Sequence, residues 1–347
     1  MPRSRMVAAG AALLTFALPA CDSGRSTARA AGPPPPAVAW TALHNPIYAD
    51  AMHAVKDPAL VVLAGEWILL FSQVDHAGAW RIGVTRSHDL TSWTAPITLP
   101  TDPATGGEAS PDVVRAPDGS FIVTYQSFPH DRGGSAAKLY ARTTRDFRTF
   151  SEPVRLLANL HAGPGERLID AALAFSPAGL LLGYKLGGTA NGDQQHFEIA
   201  RSTTGTLAGP WQLVGRPHIS VYGDTIENYE FLPVDGGWDL IATSNMFDRP
   251  QLFTLRGEPR DPRGWLGWSP ARELRVPQEP WNPGTGLTGV TYEHANCAYL
   301  VDHRAVDHSL YLVYGDTPEL KTFGGAGHDV FAIARSTDLV HWSVPPA

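Results

Sequence analysis

The chain has 347 residues, 43% of them hydrophobic and 18% charged, which is enough apolar material for a sizeable core and excludes a disordered chain. The formal net charge is −7 and no basic stripe occurs, so nucleic acid is not an expected partner. Thirty-four glycines and thirty prolines favour many short strands joined by turns over long helices.

Residues 1–20 read as a signal peptide. Arg3 and Arg5 form a short basic region, and Met6 to Phe16 is an Ala/Leu-rich stretch too short to span a bilayer. Leu18-Pro19-Ala20-Cys21 follows, and it resembles a bacterial lipobox, in which Cys21 would be lipidated and become the mature N-terminus. The expected location is therefore the bacterial cell envelope, as an anchored lipoprotein or a secreted protein. Membrane contact is expected only through that lipid. Residues 21–39, with four consecutive prolines at 33–36, read as the anchor cysteine and an extended tether. Residues 40–347 are the expected folded domain.

The only other cysteine is Cys297, in a mostly apolar run, and a buried inert thiol is its expected role. No CxxC or HExxH spacing occurs, so neither thiol nor zinc chemistry has support.

The folded part repeats itself. An Arg, small polar residues, a turn and an aromatic recur. The first copy is Arg86-Ser87-His88-Asp89-Leu90-Thr91-Ser92-Trp93, and the last is Arg335-Ser336-Thr337-Asp338-Leu339-Val340-His341-Trp342. The marker aromatics are Trp93, Phe150, Trp211, Trp268 and Trp342, and the tryptophans read as blade packing. A second series places a polar residue before a pair of apolar strands: Asp57, Asp112, Asp170, Glu227 and His294. The two series stay in phase over five units. Five units of several short strands predict an all-β, five-bladed β-propeller. Two β-sandwiches would not produce five in-phase units.

In a propeller the strand opening each blade lines the central channel. The second series then becomes a ring of four acids and a histidine. Clustered carboxylates repel one another and nothing in folding asks for them. Glycoside hydrolysis does ask for them, one acid to protonate the leaving oxygen and one base to activate water.

Lys56-Asp57-Pro58 in blade one, Ser110-Pro111-Asp112-Val113 in blade two, an acid opening blade three, a Glu opening blade four and a His opening blade five together resemble glycoside hydrolase family 43. The resemblance covers residues 50–347. It implies Asp57 as general base, Asp170 as the group that orients the acid and raises its pKa, and Glu227 as general acid. It implies inversion, with the base and acid carboxylates roughly 6.5–9.5 Å apart. His294 would sit near the axis, through a water or a calcium ion. No cofactor is required by the chemistry, calcium at the axis being the one candidate. Blade four departs from the family pattern, because Asn228-Tyr229 stands where the acid is usually followed by Gly-Pro. Glu230 is the alternative acid. The distance from each opening acid to the following turn favours Glu227.

Asp112 reads as a hydrogen-bonding or sugar-binding residue rather than a catalytic one. Phe128, His130, Trp40 and His76 lie in expected loops within reach of the channel mouth, where aromatic rings stack on sugars. The expected partner is a plant or microbial oligo- or polysaccharide, with α-L-arabinofuranosidase or β-xylosidase activity as the default, and the expected state is a monomer. A fructan- or sucrose-cleaving relative of the family 32 type is an alternative. A non-catalytic carbohydrate-binding surface propeller is another.

Overall fold

The computed structural model describes residues 36–346, apart from 103–104, 130–135, 162, 164–165, 188–195, 218, 220–225, 245–249, 282–294 and 317–329. The signal peptide, Cys21 and most of the tether therefore lie outside the described residues, as do His130 and His294.

The described residues form five antiparallel sheets of four strands each. A short strand β1 (Tyr48–Ala49) precedes the first blade. Blade one is β2 (Ala54–Leu63), β3 (Glu66–Val74), β4 (Trp80–Ser87) and β5 (Ile97–Thr98). Blade two is β6 (Gly107–Arg115), β7 (Phe121–Phe128), β8 (Lys138–Thr144) and β9 (Val154–Arg155). Blade three is β10 (Leu168–Ser176), β11 (Gly179–Leu186), β12 (His196–Ser202) and β13 (Trp211–Gly215). Blade four is β14 (Ile226–Val234), β15 (Gly237–Ser244), β16 (Pro250–Thr254) and β17 (Arg272–Glu273). Blade five holds β18 (Asn296–Asp302), β19 (Leu310–Asp316) and β20 (Val330–Ser336), and β1 completes it. The five-bladed β-propeller read from the repeats is the fold.

The closure by β1 was not legible in the sequence. Tyr48 pairs with Phe331 and Ala49 with Val330, so the N-terminal end of the domain supplies the outer strand of the last blade. Two residues carry no readable alternation. Their pairing ties the N-terminal end of the domain into the same sheet as its C-terminal strand β20.

The recurring Arg-Ser/Thr…Asp-aromatic motif is a tight turn at the outer edge of the blade. Ser87 Oγ donates to Asp89 Oδ1 at 3.0 Å and accepts from the Leu90 N–H at 2.8 Å. Asp89 Oδ1 also accepts from the Thr91 and Ser92 N–H groups, both at 2.8 Å. Leu90 is thereby held at φ 64°, and the same left-handed position falls on Phe147 (φ 50°) and Leu339 (φ 62°). A left-handed Leu or Phe costs about 1–2 kcal/mol. Complete burial of Leu90 and Phe147 and the Asp-centred hydrogen bonds offset it. Two of the marker tryptophans pack against blades: Trp93 lies between blades one and five, its indole donating to Ile47 O at 2.7 Å, and Trp211 is buried with its indole on Leu207 O.

The apolar core lies between blades. One cluster joins blades five, one and two through Tyr48, Trp67, Phe71, Phe121 and Phe331, and another joins blades three and four through Phe197, Phe231, Phe253 and Trp265. Gly183 marks how closely blades three and four meet. A Cβ there would stand 2.7 Å from the Phe197 ring and 2.9 Å from that of Phe231.

Candidate active site

The innermost strand of every blade is interrupted at one place. The register shifts between Lys56 and Ala59, Ala109 and Asp112, Ile169 and Ala172, Glu227 and Glu230, and Asn296 and Tyr299. Each shift inserts one extra residue, so that two residues oppose one on the neighbouring strand, the first of the two at positive φ: Asp57 (54°), Ser110 (51°), Asp170 (54°), Asn228 (50°) and Cys297 (50°). Such a bulge re-aims side chains, and here it does so around one axis. These five residues are the equivalent positions of the ring.

The ring read from the sequence is therefore corrected at three places. In blade two the equivalent residue is Ser110, and Asp112 stands two residues beyond it. In blade four it is Asn228, and Glu227 stands one residue before it, in the place of Lys56. In blade five it is Cys297; His294 lies outside the described residues. The blade-four departure has a conformational explanation. Asn228 takes a left-handed position that otherwise suits Gly, and Asn is among the residues that tolerate it best. Asp57-Pro58 and Ser110-Pro111 are the matching dipeptides of blades one and two.

Asp57 is 2% exposed and heavily hydrogen-bonded. Its Oδ2 accepts from Ser72 Oγ at 2.8 Å and from Ser110 Oγ at 3.0 Å, and its Oδ1 accepts from Asn228 Nδ2 at 2.9 Å. Lys56 Nζ lies 3.5 Å from Oδ1. Burial pushes the carboxyl up, but Lys56 and the hydrogen bonds from Ser72, Cys297 and Asn228 outweigh it and hold Asp57 below the ordinary carboxylate range. Asp57 is thus a fixed anion.

Asp170 is the reverse case. It is buried, and its Oδ2 has no hydrogen-bond partner among the described residues. Burial first, then the negative charge of Glu227, push it up to about 7, against the opposing pull of Lys185. Glu227 Oε1 accepts from Lys185 Nζ at 2.6 Å, and that lysine, on β11, is 1% exposed. The structure thus brings Asp57, Asp170 and Glu227 together, with Lys56 and Lys185 interleaved. Between Asp57 and Asp170 the proton favours Asp170 near neutral pH, since Asp57 is held low and Asp170 high.

Asp112 and Glu230 belong to a deeper tier. Glu230 is buried, accepts from the Leu300 N–H at 2.7 Å and is pushed well up by burial. Burial also pushes Asp112 up to about 7. Tyr299 reaches across the axis, its hydroxyl donating to Val113 O at 2.8 Å. Between the tiers is a cavity of about 20 Å³ touched by Asp57, Asp112, Asp170 and Tyr299. That is room for about one water, and the unpartnered Asp112 Oδ1 and Asp170 Oδ2 are its available acceptors. No group of three or more His, Cys, Asp or Glu side chains suited to a metal ion occurs among the described residues.

Above the ring a cavity of about 560 Å³ opens between the first two blades, lined by Lys56, Asp57, Trp80, Arg81, Phe128 and Arg167 among others. Phe128 reaches this mouth as expected. Trp40 does not: it is buried against Tyr311, with the Arg335 guanidinium 4.5 Å above its ring. His76 is not on the cavity wall, although Ala77 to Arg81 beside it are. Sequence reasoning missed Lys185, Ser72, Asn228 and Trp80. The lysine carried no signal, because Leu-Gly-Tyr-Lys-Leu reads as an ordinary strand end.

No family model matches the chain, and no curated protein matches it in sequence. Solved structures do match in shape. A thermostable family-43 glycoside hydrolase superposes with a TM-score of 0.57 at 15% identity, covering 87% of this chain and 96% of that one. The α-L-arabinofuranosidase of Lactobacillus brevis gives 0.58 at 14% identity, over 86% and 94% of the two chains. The family-43 endo-arabinanase of Bacillus licheniformis gives 0.56 at 14% identity, over 83% and 95%. The chain shares the propeller fold of these glycosidases along nearly their whole length.

Proposed function

We propose that the protein is a glycoside hydrolase that cleaves its substrate with inversion, Asp57 acting as general base and Glu227 as general acid. The observation that carries this reading is the divergence of the axial carboxyl groups, Asp57 held low and Asp170 raised to about 7 within one cluster. Neighbouring carboxyls with separated protonation states are what acid–base cleavage of a glycoside requires.

In this reading Asp57 accepts a proton from the attacking water. Ser72, Ser110 and Asn228 fix the position of its two oxygens. Glu227 delivers a proton to the leaving oxygen. In the unliganded site it is paired with Lys185, and Asp170 beside it holds the proton the site has to give. Asp170 supplies that proton to Glu227 and the lysine keeps the resting pair ordered. Trp80 and Phe128 at the mouth offer faces for sugar rings.

The specific activity we propose is α-L-arabinofuranosidase or β-xylosidase, which the shape likeness to an arabinofuranosidase favours. We also propose export through residues 1–20 and anchoring through Cys21. A panel of aryl glycosides tested with the wild type and with Glu227→Gln decides the first point. Release of aglycone by the wild type and its loss in the variant supports the assignment. No release from any glycoside, or an unimpaired variant, overturns it.

A further inference from the structure

We infer that Lys56 reads the hydroxyl group next to the anomeric carbon, so that the site takes sugars with a free 2-hydroxyl and discriminates against 2-deoxy sugars. The inference rests on the glycosidase reading for which carbon is attacked, and adds the chemical requirement on the sugar.

The residue just before the bulge is Lys56 in blade one, Ala109 in blade two, Ile169 in blade three, Glu227 in blade four and Asn296 in blade five. Lys56 therefore holds in blade one the place that the proposed acid holds in blade four. It lines the mouth cavity beside Asp57, with the small Ala109 of the next blade. Folding does not ask for a lysine here, since Ala and Ile serve the same position in blades two and three.

The Lys56 side chain is 23% exposed, and Asp57 is its one ion-pair partner among the described residues. At 3.5 Å that pair is longer than the roughly 2.7–2.9 Å of a charge-assisted hydrogen bond. Burial pulls the pKa of the ammonium down, but the negative charges around it, Asp57 foremost, outweigh burial and keep it protonated. Asp57 thus answers the charge of Lys56 without using up its three N–H donors. The pocket is offered hydrogen-bond donors rather than a net positive charge, and a neutral hydroxyl oxygen is the matching ligand atom.

The water that Asp57 activates attacks the anomeric carbon. A donor 3.5 Å from Oδ1 of the base therefore reaches the ring neighbours of that carbon, the ring oxygen or the substituent on carbon 2. The ring oxygen gains positive charge in an oxocarbenium-like transition state and is a poor acceptor for an ammonium. The 2-hydroxyl is the acceptor left, and hydrogen bonds to it strengthen in that transition state. Gln126, on the same cavity wall, supplies a separate donor. Its Oε1 accepts from the Asp170 N–H at 3.1 Å, which fixes the way the amide faces and leaves Nε2 to meet another hydroxyl of the sugar.

The test is binding to the intact protein, read separately from hydrolysis by calorimetry and saturation-transfer NMR. L-arabinose, D-xylose, D-glucose and D-galactose are each compared with their own 2-deoxy analogue. The tightest-binding sugar should weaken roughly 10–100-fold on removal of its 2-hydroxyl, the worth of a hydrogen bond to a charged donor. Lys56→Met should bind that sugar and its 2-deoxy analogue equally, and Lys56→Arg should restore part of the difference. Gln126→Glu keeps an acceptor for the Asp170 N–H but loses the amide donors, so it should weaken the sugar and its 2-deoxy analogue alike. Equal binding of every sugar and its analogue by the wild type, or no binding of any sugar, would overturn the inference. So would a Lys56→Met variant that weakens both members of a pair equally, as a merely structural lysine would. Discrimination at carbon 2 without turnover of any aryl glycoside would overturn the glycosidase reading and leave Lys56 as a reader of hydroxyls. Turnover without discrimination would overturn this inference alone.

Discussion

Asp170→Asn should separate stability from activity in a way that depends on pH. Asp170 is raised from an ordinary value of 3.8 to about 7 by burial and by Glu227. The folded state therefore holds a proton between those limits that the unfolded chain has released. Stability falls with pH across that window, at about 1.4 kcal/mol per pH unit for one proton. A group whose folded pKa is raised contributes fully below the unfolded pKa and loses that contribution as pH climbs through the folded one. Integrated over the window, and discounted because Asp170 is coupled to its neighbours, the cost is about 2–4 kcal/mol. Asparagine is neutral at every pH and pays none of it. The variant should match the wild type near pH 4 and exceed it by about 2–4 kcal/mol at pH 9, while losing most of its activity. Such a trade between stability and a strained site is common in enzymes. Urea unfolding at pH 4, 6, 7.5 and 9, followed by tryptophan fluorescence, reads the difference. A gap that does not change with pH, or a wild type that gains on the variant as pH rises, would refute the reasoning.

Other consequences are as direct. Asp57→Asn should lower kcat by about 10²–10⁴-fold, the usual worth of a general base, with little change in substrate binding; unchanged kcat would remove Asp57 from the chemistry. Asn228→Gly should relieve the φ 50° position and delete the hydrogen bond to Asp57 Oδ1, moving the acidic limb of the kcat/KM profile to higher pH because Asp57 loses one of the groups that hold it low. A limb that moves to lower pH contradicts that account of Asp57. Lys185→Met should destabilise the fold by about 1–3 kcal/mol, since it breaks a short pair whose lysine is buried, and should raise Asp170 further by removing the cation that opposes its protonation. Denaturant midpoints and the infrared band of the protonated carboxyl test both halves. Cys21→Ala should release the protein from membranes into the medium, and metabolic labelling with palmitate should mark the wild type only.

The sequence carried the fold because it repeats. Three turns built on the same Ser/Thr, Asp and apolar pattern and two degenerate copies, in phase with five strand pairs, leave little choice of architecture. It carried Asp57 and Asp170 for the same reason. It did not carry the bulge. Strand alternation has a period of two, and an inserted residue cannot be seen in it until pairing shows where the register shifts. The in-phase series of polar residues before apolar strands points to Asp112, yet Ser110 is the residue that stands in the ring. The turn distances held a clue. Counted from Asp57, Ser110, Asp170 and Asn228 to Gly65, Gly119, Gly179 and Gly236 they are 8, 9, 9 and 8, more even than the series counted from the acids. The apolar run around Cys297 suggests an inert buried thiol. It is buried, but it occupies the blade-five ring position and contributes a hydrogen bond to Asp57. Lys185 was invisible because its meaning lies in Glu227, 42 residues on.

The central claim is that Asp57, Asp170 and Glu227 cleave a glycosidic bond with inversion. Proton NMR of the first-formed product tests it most directly, using a glycoside that the wild type hydrolyses and Asp57→Asn as the control. The account predicts that the anomeric signal appearing first has the configuration opposite to the substrate, and that it is absent with the variant. Retention of configuration would contradict the roles given to Asp57 and Glu227, and equal product from the variant would contradict the site itself.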